Sequence, residues 1–168
     1  MKNEPAAVRS LAISWSDPKQ LAQASRTMPG IEFLRAIRDR KLPPPPIAQL
    51  MGFDLVEVEP GHAVFECTPG EQHYNPIGVV HGGLAMTLLD SAMGCCVQTM
   101  MPEKTGYTTL EAKTNLVRAV TSETGRLRAI GKVLHVGKRV ATAEGRIEDL
   151  SGKLYAHATT TCIVLSGG

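Results

Sequence analysis

The sequence predicts an α+β fold in which a curved antiparallel sheet wraps around one long, almost wholly apolar helix. Three observations support this prediction. Residues 82–100 are apolar, rich in Leu, Ala and Met, and too many for a strand. Two runs of alternating apolar and polar residues precede this segment, and four runs rich in Thr, Val and Ile follow it. The order β-β-α-β-β-β-β therefore predicts one sheet packed around one helix.

Composition narrows the class of protein. A chain of 168 residues with 43% hydrophobic content is long enough for one domain with its own core. Its 18 basic and 16 acidic residues are spread along the chain, which argues against nucleic-acid binding. We find no run long enough for a membrane helix, no secretory signal and no CxxC pair among the 4 cysteines. We therefore expect a cytoplasmic protein with neither a membrane nor a nucleic-acid partner.

Residues 1–46 are expected to form an N-terminal extension, partly helical or loosely ordered, ahead of a domain over residues 47–168. The segment IEFLRAIRDRK has apolar residues at helical spacing and predicts a helix. The prolines that follow end this helix, because proline lacks an N–H and its ring clashes with the preceding turn. A short second helix, IAQLMG, is expected to end at Gly52.

The domain is expected to begin with a hairpin, because FDLVEVEPGHAVFECTP alternates on both sides of Pro60-Gly61. The long helix is expected over residues 82–100 and should be buried on most sides. The last four strands are YTTLEAKTNLVRAV, GRLRAIGKVLHVG, KRVATAEGRIEDL and KLYAHATTTCIVLS. Such a sheet leaves strand edges exposed, and a second copy commonly covers them, so we expect a homodimer at least.

Asp90 is the only Asp, Glu, Lys or Arg between Pro76 and Pro102. It lies in the middle of the predicted helix, among Leu, Ala, Met and Cys residues that are expected to be buried. Burying an unpaired carboxylate is energetically costly unless the group keeps its proton, so a carboxylate at this position calls for an explanation.

The stretch NPIGVVHGG puts two glycines at the helix start, where the first N–H groups lack helical partners and the helix dipole adds partial positive charge. Such a start can bind a carbonyl oxygen or an oxyanion, and glycine lets a ligand approach the backbone. The helix separates His81 and Asp90 by roughly 13 Å and puts them on opposite faces. If Gly82 and Asp90 act on one substrate atom, Asp90 must therefore come from a second subunit.

The spacing Asn75-x5-His81-Gly82-Gly83-x6-Asp90, followed by SAMG and a Thr-rich strand at 107–118, resembles the PaaI-type (phenylacetate-degradation type) hot-dog-fold acyl-CoA thioesterases. The resemblance covers about residues 47–165. It implies a hot-dog fold and hydrolysis of a small aromatic or medium-chain acyl-CoA. No metal or organic cofactor is implied, since coenzyme A is part of the substrate. The resemblance also implies a homodimer with shared active sites, and a dimer of dimers remains open.

The resemblance also implies roles for individual residues. The Gly82 N–H would polarise the thioester carbonyl, Asn75 would place the substrate or water, and His81 would brace the loop. Asp90 of the partner would activate water as general base or attack as nucleophile. Thr109 matches a hydroxyl position that helps to hold the water, with Thr108 as the alternative if the strand register differs by one residue. The candidate substrate-binding residues are Gly83, Arg118, Lys138 and Arg139, the last three as partners of coenzyme A phosphates.

Two other functions fit the same fold. A non-catalytic acyl-CoA-binding regulator would require a DNA-binding module, and residues 1–46 show neither two well-spaced helices nor a basic face. A hot-dog hydratase or dehydratase would place a His opposite an Asp or Glu, whereas HGG with Asp nine residues after the His matches the thioesterase pattern better. The family often has Arg-Pro where this chain has VRAV, which keeps Arg118 and lacks the proline. The other histidines are expected at surface or sheet positions: His62, His73, His135 and His157.

Overall fold

The computed structural model describes residues 7–166, which form four helices and a six-stranded antiparallel sheet. The helices are α1 (Pro18–Ala24), α2 (Gly30–Arg38), α3 (Pro46–Met51) and α4 (Gly82–Gln98). The strands are β1 (Phe53–Glu59), β2 (His62–Cys67), β3 (Thr105–Leu116), β4 (Leu127–Val136), β5 (Val140–Asp149) and β6 (Leu154–Ser166). The sheet order is β1-β2-β4-β5-β6-β3, with α4 packed against it, so the predicted hot-dog layout is confirmed.

Helix α4 forms the centre of the core. Its buried apolar side chains face the sheet: Leu84, Leu88, Leu89, Ala92, Met93, Cys96 and Val97. The helix passes very close to the sheet where Gly131 of β4 pairs with Gly145 of β5. A Cβ at Gly131 would lie 2.1 Å from the Ala92 carbonyl oxygen, so only glycine admits the helix backbone at this distance.

Gly131→Ala is expected to destabilise the protein by about 3 kcal/mol, because the added methyl group meets helix backbone, which cannot move aside. Gly145→Ala is the matched control, since its Cβ would meet the flexible Met93 side chain at 2.8 Å. We expect a loss of about 1 kcal/mol for that control. Urea unfolding of both variants gives the comparison, and equal losses would contradict this account of the helix crossing.

Helix α2 covers one edge of the sheet. Its Leu34 and Ile37 pack with Val58 of β1, and the Gly30 N–H donates to the Met101 carbonyl oxygen (3.0 Å), just beyond the end of α4. The other edge strand, β3, pairs with β6 on one side only and carries the exposed side chain of Leu110. The two edges therefore differ, because the extension covers β1 and nothing in residues 7–166 pairs with the free side of β3.

Across residues 7–166, we find no helix with the length and apolar character needed to cross a membrane.

Candidate active site

The start of α4 presents one free backbone donor. His81 is the N-cap residue, and its Nδ1 accepts a hydrogen bond from the Gly83 N–H (2.8 Å). The Leu84 N–H donates to the His81 carbonyl oxygen (3.0 Å). The Gly82 N–H has no acceptor among the described residues, and it lies at the positive end of a 17-residue helix. This donor is available to a carbonyl or oxyanion of a ligand.

Gly82 also lies against the end of β3. A Cβ there would come within 2.5 Å of Cδ1 of Leu116, the last residue of β3. The end of β3 therefore packs directly over the start of α4.

Asn75 shapes the loop before α4. Its Oδ1 accepts hydrogen bonds from the N–H groups of Ile77 (3.1 Å) and Val79 (3.3 Å). Its own N–H donates to the Val79 carbonyl oxygen (2.8 Å), which closes a tight turn. The side-chain NH₂ of Asn75 has no acceptor within the described part of the chain, so two donors remain for a ligand.

A cavity of about 310 Å³ adjoins the helix start. Asn75, His81 and Gly82 line it. Its walls are otherwise mostly apolar, with Leu84, Ala85 and Leu88 from α4 and Leu127, Ile147 and Ala156 from the sheet. This combination of apolar walls and a few polar donors is typical of a small-molecule site.

The predicted coenzyme A contacts separate into two groups. Arg118 lines the cavity, where its guanidinium lies 5.9 Å from the Tyr155 ring centroid and donates to the Leu154 carbonyl oxygen. Lys138 and Arg139 are exposed in the turn between β4 and β5, and neither lines the cavity. The structure therefore brings only Arg118 to the cavity.

Asp90 lies on a strip of α4 that the other described residues leave open. Gly82, Met86 and Asp90 are each four residues apart and therefore share one helix face. Met86 is 50% exposed and Asp90 is also exposed. The helix is buried on most sides, as expected, but Asp90 itself is exposed in the single chain, because this strip lies beside the edge strand β3 and no element of residues 7–166 covers it.

Thr109 of β3 donates a hydrogen bond from Oγ1 to Oδ1 of Asp90 (2.9 Å), whereas Thr108 is exposed. The β3–β6 register shifts between Thr109 and Glu111, a bulge of the kind that redirects side chains near functional sites.

Two half-sites result within one chain. The first contains Asn75, His81, Gly82 and the cavity, and the second contains Asp90 and Thr109. Gly82 and Asp90 are about 12 Å apart along the helix axis. No single carbonyl group can reach both.

The sequence interpretation missed His73. It is half-buried in a 3₁₀ turn (Glu71–His73), not at the surface or in the sheet. Its Nδ1 accepts a hydrogen bond from the Gly70 N–H (3.1 Å), and its carbonyl oxygen accepts one from the His81 N–H (2.8 Å). Burial lowers the pKa of this imidazole below its usual value. Its place two residues before Asn75, in the loop leading to the glycines, was the available signal.

Residues 77–156 match the thioesterase superfamily, and this span contains Gly82, Asp90 and Thr109. This span is a domain of that superfamily, and its reaction class is thioester hydrolysis.

Three similar proteins extend the comparison. A 1,4-dihydroxy-2-naphthoyl-CoA hydrolase of Listeria monocytogenes is 26% identical over 119 residues, covering 70% of this chain and 94% of that protein. The structure of a conserved protein from Pseudomonas aeruginosa is 31% identical with a TM-score of 0.66, covering 71% of this chain and 93% of that one. The Escherichia coli PaaI protein from the phenylacetic acid degradation operon is 20% identical with a TM-score of 0.71, covering 84% and 98%. This last similarity concerns the fold.

Proposed function

We propose that the protein hydrolyses acyl-CoA thioesters of small aromatic or medium-chain acids in active sites shared by two subunits of a homodimer. The observation that carries the proposal is the placement of the half-sites. The Gly82 N–H, which has no acceptor within residues 7–166, adjoins an apolar cavity. Asp90 lies on the same open strip of α4 as Gly82 but too far from it to act in the same site.

A two-fold pairing of helices joins the half-sites. Met86 lies midway between Gly82 and Asp90 on the open strip. If two copies of α4 pack antiparallel about Met86, Gly82 of one copy lies opposite Asp90 of the other, and the reverse holds at the second site. One isologous contact therefore completes two sites.

The free edge of β3 supports the same pairing. This strand runs beside the open strip, since Leu116 packs at Gly82 and Thr109 contacts Asp90. A partner that covers the strip of α4 also reaches the unpaired edge of β3, where Leu110 is exposed. Pairing through that edge satisfies its backbone groups and covers its apolar side chains.

In the proposed reaction, the thioester carbonyl oxygen accepts a hydrogen bond from the Gly82 N–H. Asp90 of the second subunit removes a proton from water as the water oxygen attacks the carbonyl carbon, and Thr109 holds the carboxylate or the water. The negative charge that develops on the carbonyl oxygen is stabilised by the Gly82 N–H. The C–S bond of this tetrahedral intermediate then breaks. The acid is released, and coenzyme A leaves as a thiolate that regains the proton taken up by Asp90. Alternatively, Asp90 attacks the carbonyl carbon itself and the C–S bond breaks to release coenzyme A as a thiolate, after which water hydrolyses the resulting anhydride to the acid and restores the Asp90 carboxylate.

The cavity supports the class of acyl group. Its volume of about 310 Å³ accommodates an aromatic ring or a medium-length chain, and its walls offer mainly apolar contact. The related Listeria protein is named for an aromatic acyl-CoA, which agrees with an aromatic substrate here.

A panel of acyl-CoA substrates with detection of the free thiol tests this function. We expect the highest kcat/KM for aromatic or medium-chain acyl groups, and much lower values for acetyl-CoA, which fills little of the cavity. If the protein binds these compounds but releases coenzyme A from none of them, it is an acyl-CoA-binding protein and not a hydrolase.

A further inference from the structure

His73 makes contacts that join three parts of the chain. Its backbone N–H donates a hydrogen bond to the Gly70 carbonyl oxygen (3.0 Å), and its ring Nδ1 accepts one from the Gly70 backbone N–H (3.1 Å). The ring also lies beside the backbone of Met51, the last residue of α3, and this contact raises its pKa by less than burial lowers it. The imidazole therefore fastens the 3₁₀ turn Glu71–His73 to Gly70 and lies next to the helix that precedes β1.

The His73 carbonyl oxygen connects this turn to the helix start. It accepts a hydrogen bond from the His81 N–H (2.8 Å), and Tyr74 forms an antiparallel bridge with Val80 just inside that contact. The loop over residues 74–80 is thus closed at its base. His81 immediately precedes Gly82, so the placement of His81 sets the direction of the Gly82 N–H.

We propose, on the basis of the role proposed above for Gly82, that His73 is a positioning residue whose neutral imidazole holds the Gly82 N–H in place for hydrolysis. The neutral form is required because Nδ1 must offer a lone pair to the Gly70 N–H. When Nδ1 is protonated, its N–H faces the Gly70 N–H, and two donors cannot form a hydrogen bond. The 3₁₀ turn is then released, and the hydrogen bond from the His81 N–H to the His73 carbonyl oxygen is lost.

The surroundings of His73 favour the neutral form. A cavity of about 220 Å³ beside the ring is lined by residues 11–14 of the N-terminal segment, Gln49, Leu50, Gly52 and Gln72, none of them charged. Helix α3, with the sequence PIAQLM, carries no charge. The nearby charged groups are Glu71 of the same turn and Arg9, which pair with each other, and the other titratable neighbours are Tyr74 and His81.

The direction of the pH effect follows from these contacts. Burial lowers the pKa of His73 from 6.5, so the unfolded chain takes up this proton more readily than the folded one. The stabilising contribution is complete above about pH 6.5 and is lost as the pH falls through the lower pKa of the folded state.

Steady-state kinetics of His73→Ala and His73→Asn provide the first test. At about pH 7.5 we expect His73→Ala to lower kcat by about tenfold to a hundredfold with KM changed less than about threefold, because the donor is misplaced in the transition state. His73→Asn restores an acceptor near the Nδ1 position and should recover most of kcat. His157→Asn, at an exposed position on β6, is the control and should match the wild type. A wild-type kcat for His73→Ala overturns the proposal.

A pH series gives a readout that a merely structural role would not produce. The ratio of wild-type kcat to His73→Ala kcat should fall between about pH 7.5 and pH 5, because only the wild type has a contact to lose by protonation. A pH effect that both proteins share cancels in this ratio. A ratio that stays constant contradicts the proposal.

Hydrogen exchange at the His81 amide tests the same contact without any turnover. At equal pH, exchange should be faster in His73→Ala than in the wild type, because the loop that holds the acceptor carbonyl is released. Unchanged exchange overturns the proposal. Faster exchange in a protein that hydrolyses no acyl-CoA would support the positioning contact and reject the proposed function instead.

Discussion

Asp90→Asn is expected to lower kcat by about 10² or more, because the amide keeps the size of the carboxylate but can act neither as base nor as nucleophile. The measurement is thiol release from the best acyl-CoA substrate of the panel. KM should change little if the carboxylate acts on the reacting carbon and not on the coenzyme A portion.

Folding of this variant should be close to normal. The Asp90 side chain is exposed in the single chain, and an Asn oxygen can still accept the hydrogen bond from Thr109. Asp54→Asn is the matched control, since this exposed carboxylate pairs with Arg40 (2.7 Å), and neither residue lines the cavity. If Asp90→Asn retained near wild-type activity, Asp90 would have no place in the mechanism.

The sequence predicted the elements around the site better than their contacts. Helix α4 and the six strands followed from periodicity, because the apolar segment is too long for a strand and the flanking runs alternate. The bulge at β3 did not follow. Threonines at 108 and 109 are equivalent in sequence, and the contact of Thr109 with Asp90, next to the register shift, is seen only in the structure.

The close approach of α4 to the sheet was equally difficult to predict. Gly131 and Gly145 occur in otherwise ordinary strand sequences, and their purpose depends on where α4 crosses the sheet. His73 looked like a surface residue because its partners are backbone groups, which leave no pattern of side chains in the sequence.

The exposure of Asp90 has a related cause. Apolar residues that line a core and those that line an interface have the same composition, so the sequence alone could not separate the buried faces of α4 from its open strip. The single chain leaves Met86 and Asp90 uncovered, which is the pattern expected when a second subunit completes the burial.

Mixing two inactive variants should restore activity if the sites are shared. Gly82→Pro removes the proposed donor, and proline suits the first position of a helix. His81 has φ −62° and ψ 134°, an extended conformation compatible with a following proline. Gly82→Ala is the steric control, because its Cβ meets the same flexible end of Leu116 but the N–H remains. We expect Gly82→Pro to lose about 10² or more in kcat and Gly82→Ala to lose much less.

Subunit exchange between Gly82→Pro and Asp90→Asn then distinguishes shared from unshared sites. In a hybrid dimer, one site carries both substitutions, and the other combines the unchanged Gly82 of one chain with the unchanged Asp90 of its partner. Random pairing makes about half of the dimers hybrid with one intact site in two, so roughly a quarter of wild-type activity should return. Exchange must be demonstrated by mass, and Asn75→Ala can replace Gly82→Pro if the proline variant does not fold. A fully exchanged mixture as inactive as its parents would mean that Gly82 and Asp90 of different subunits do not form one site.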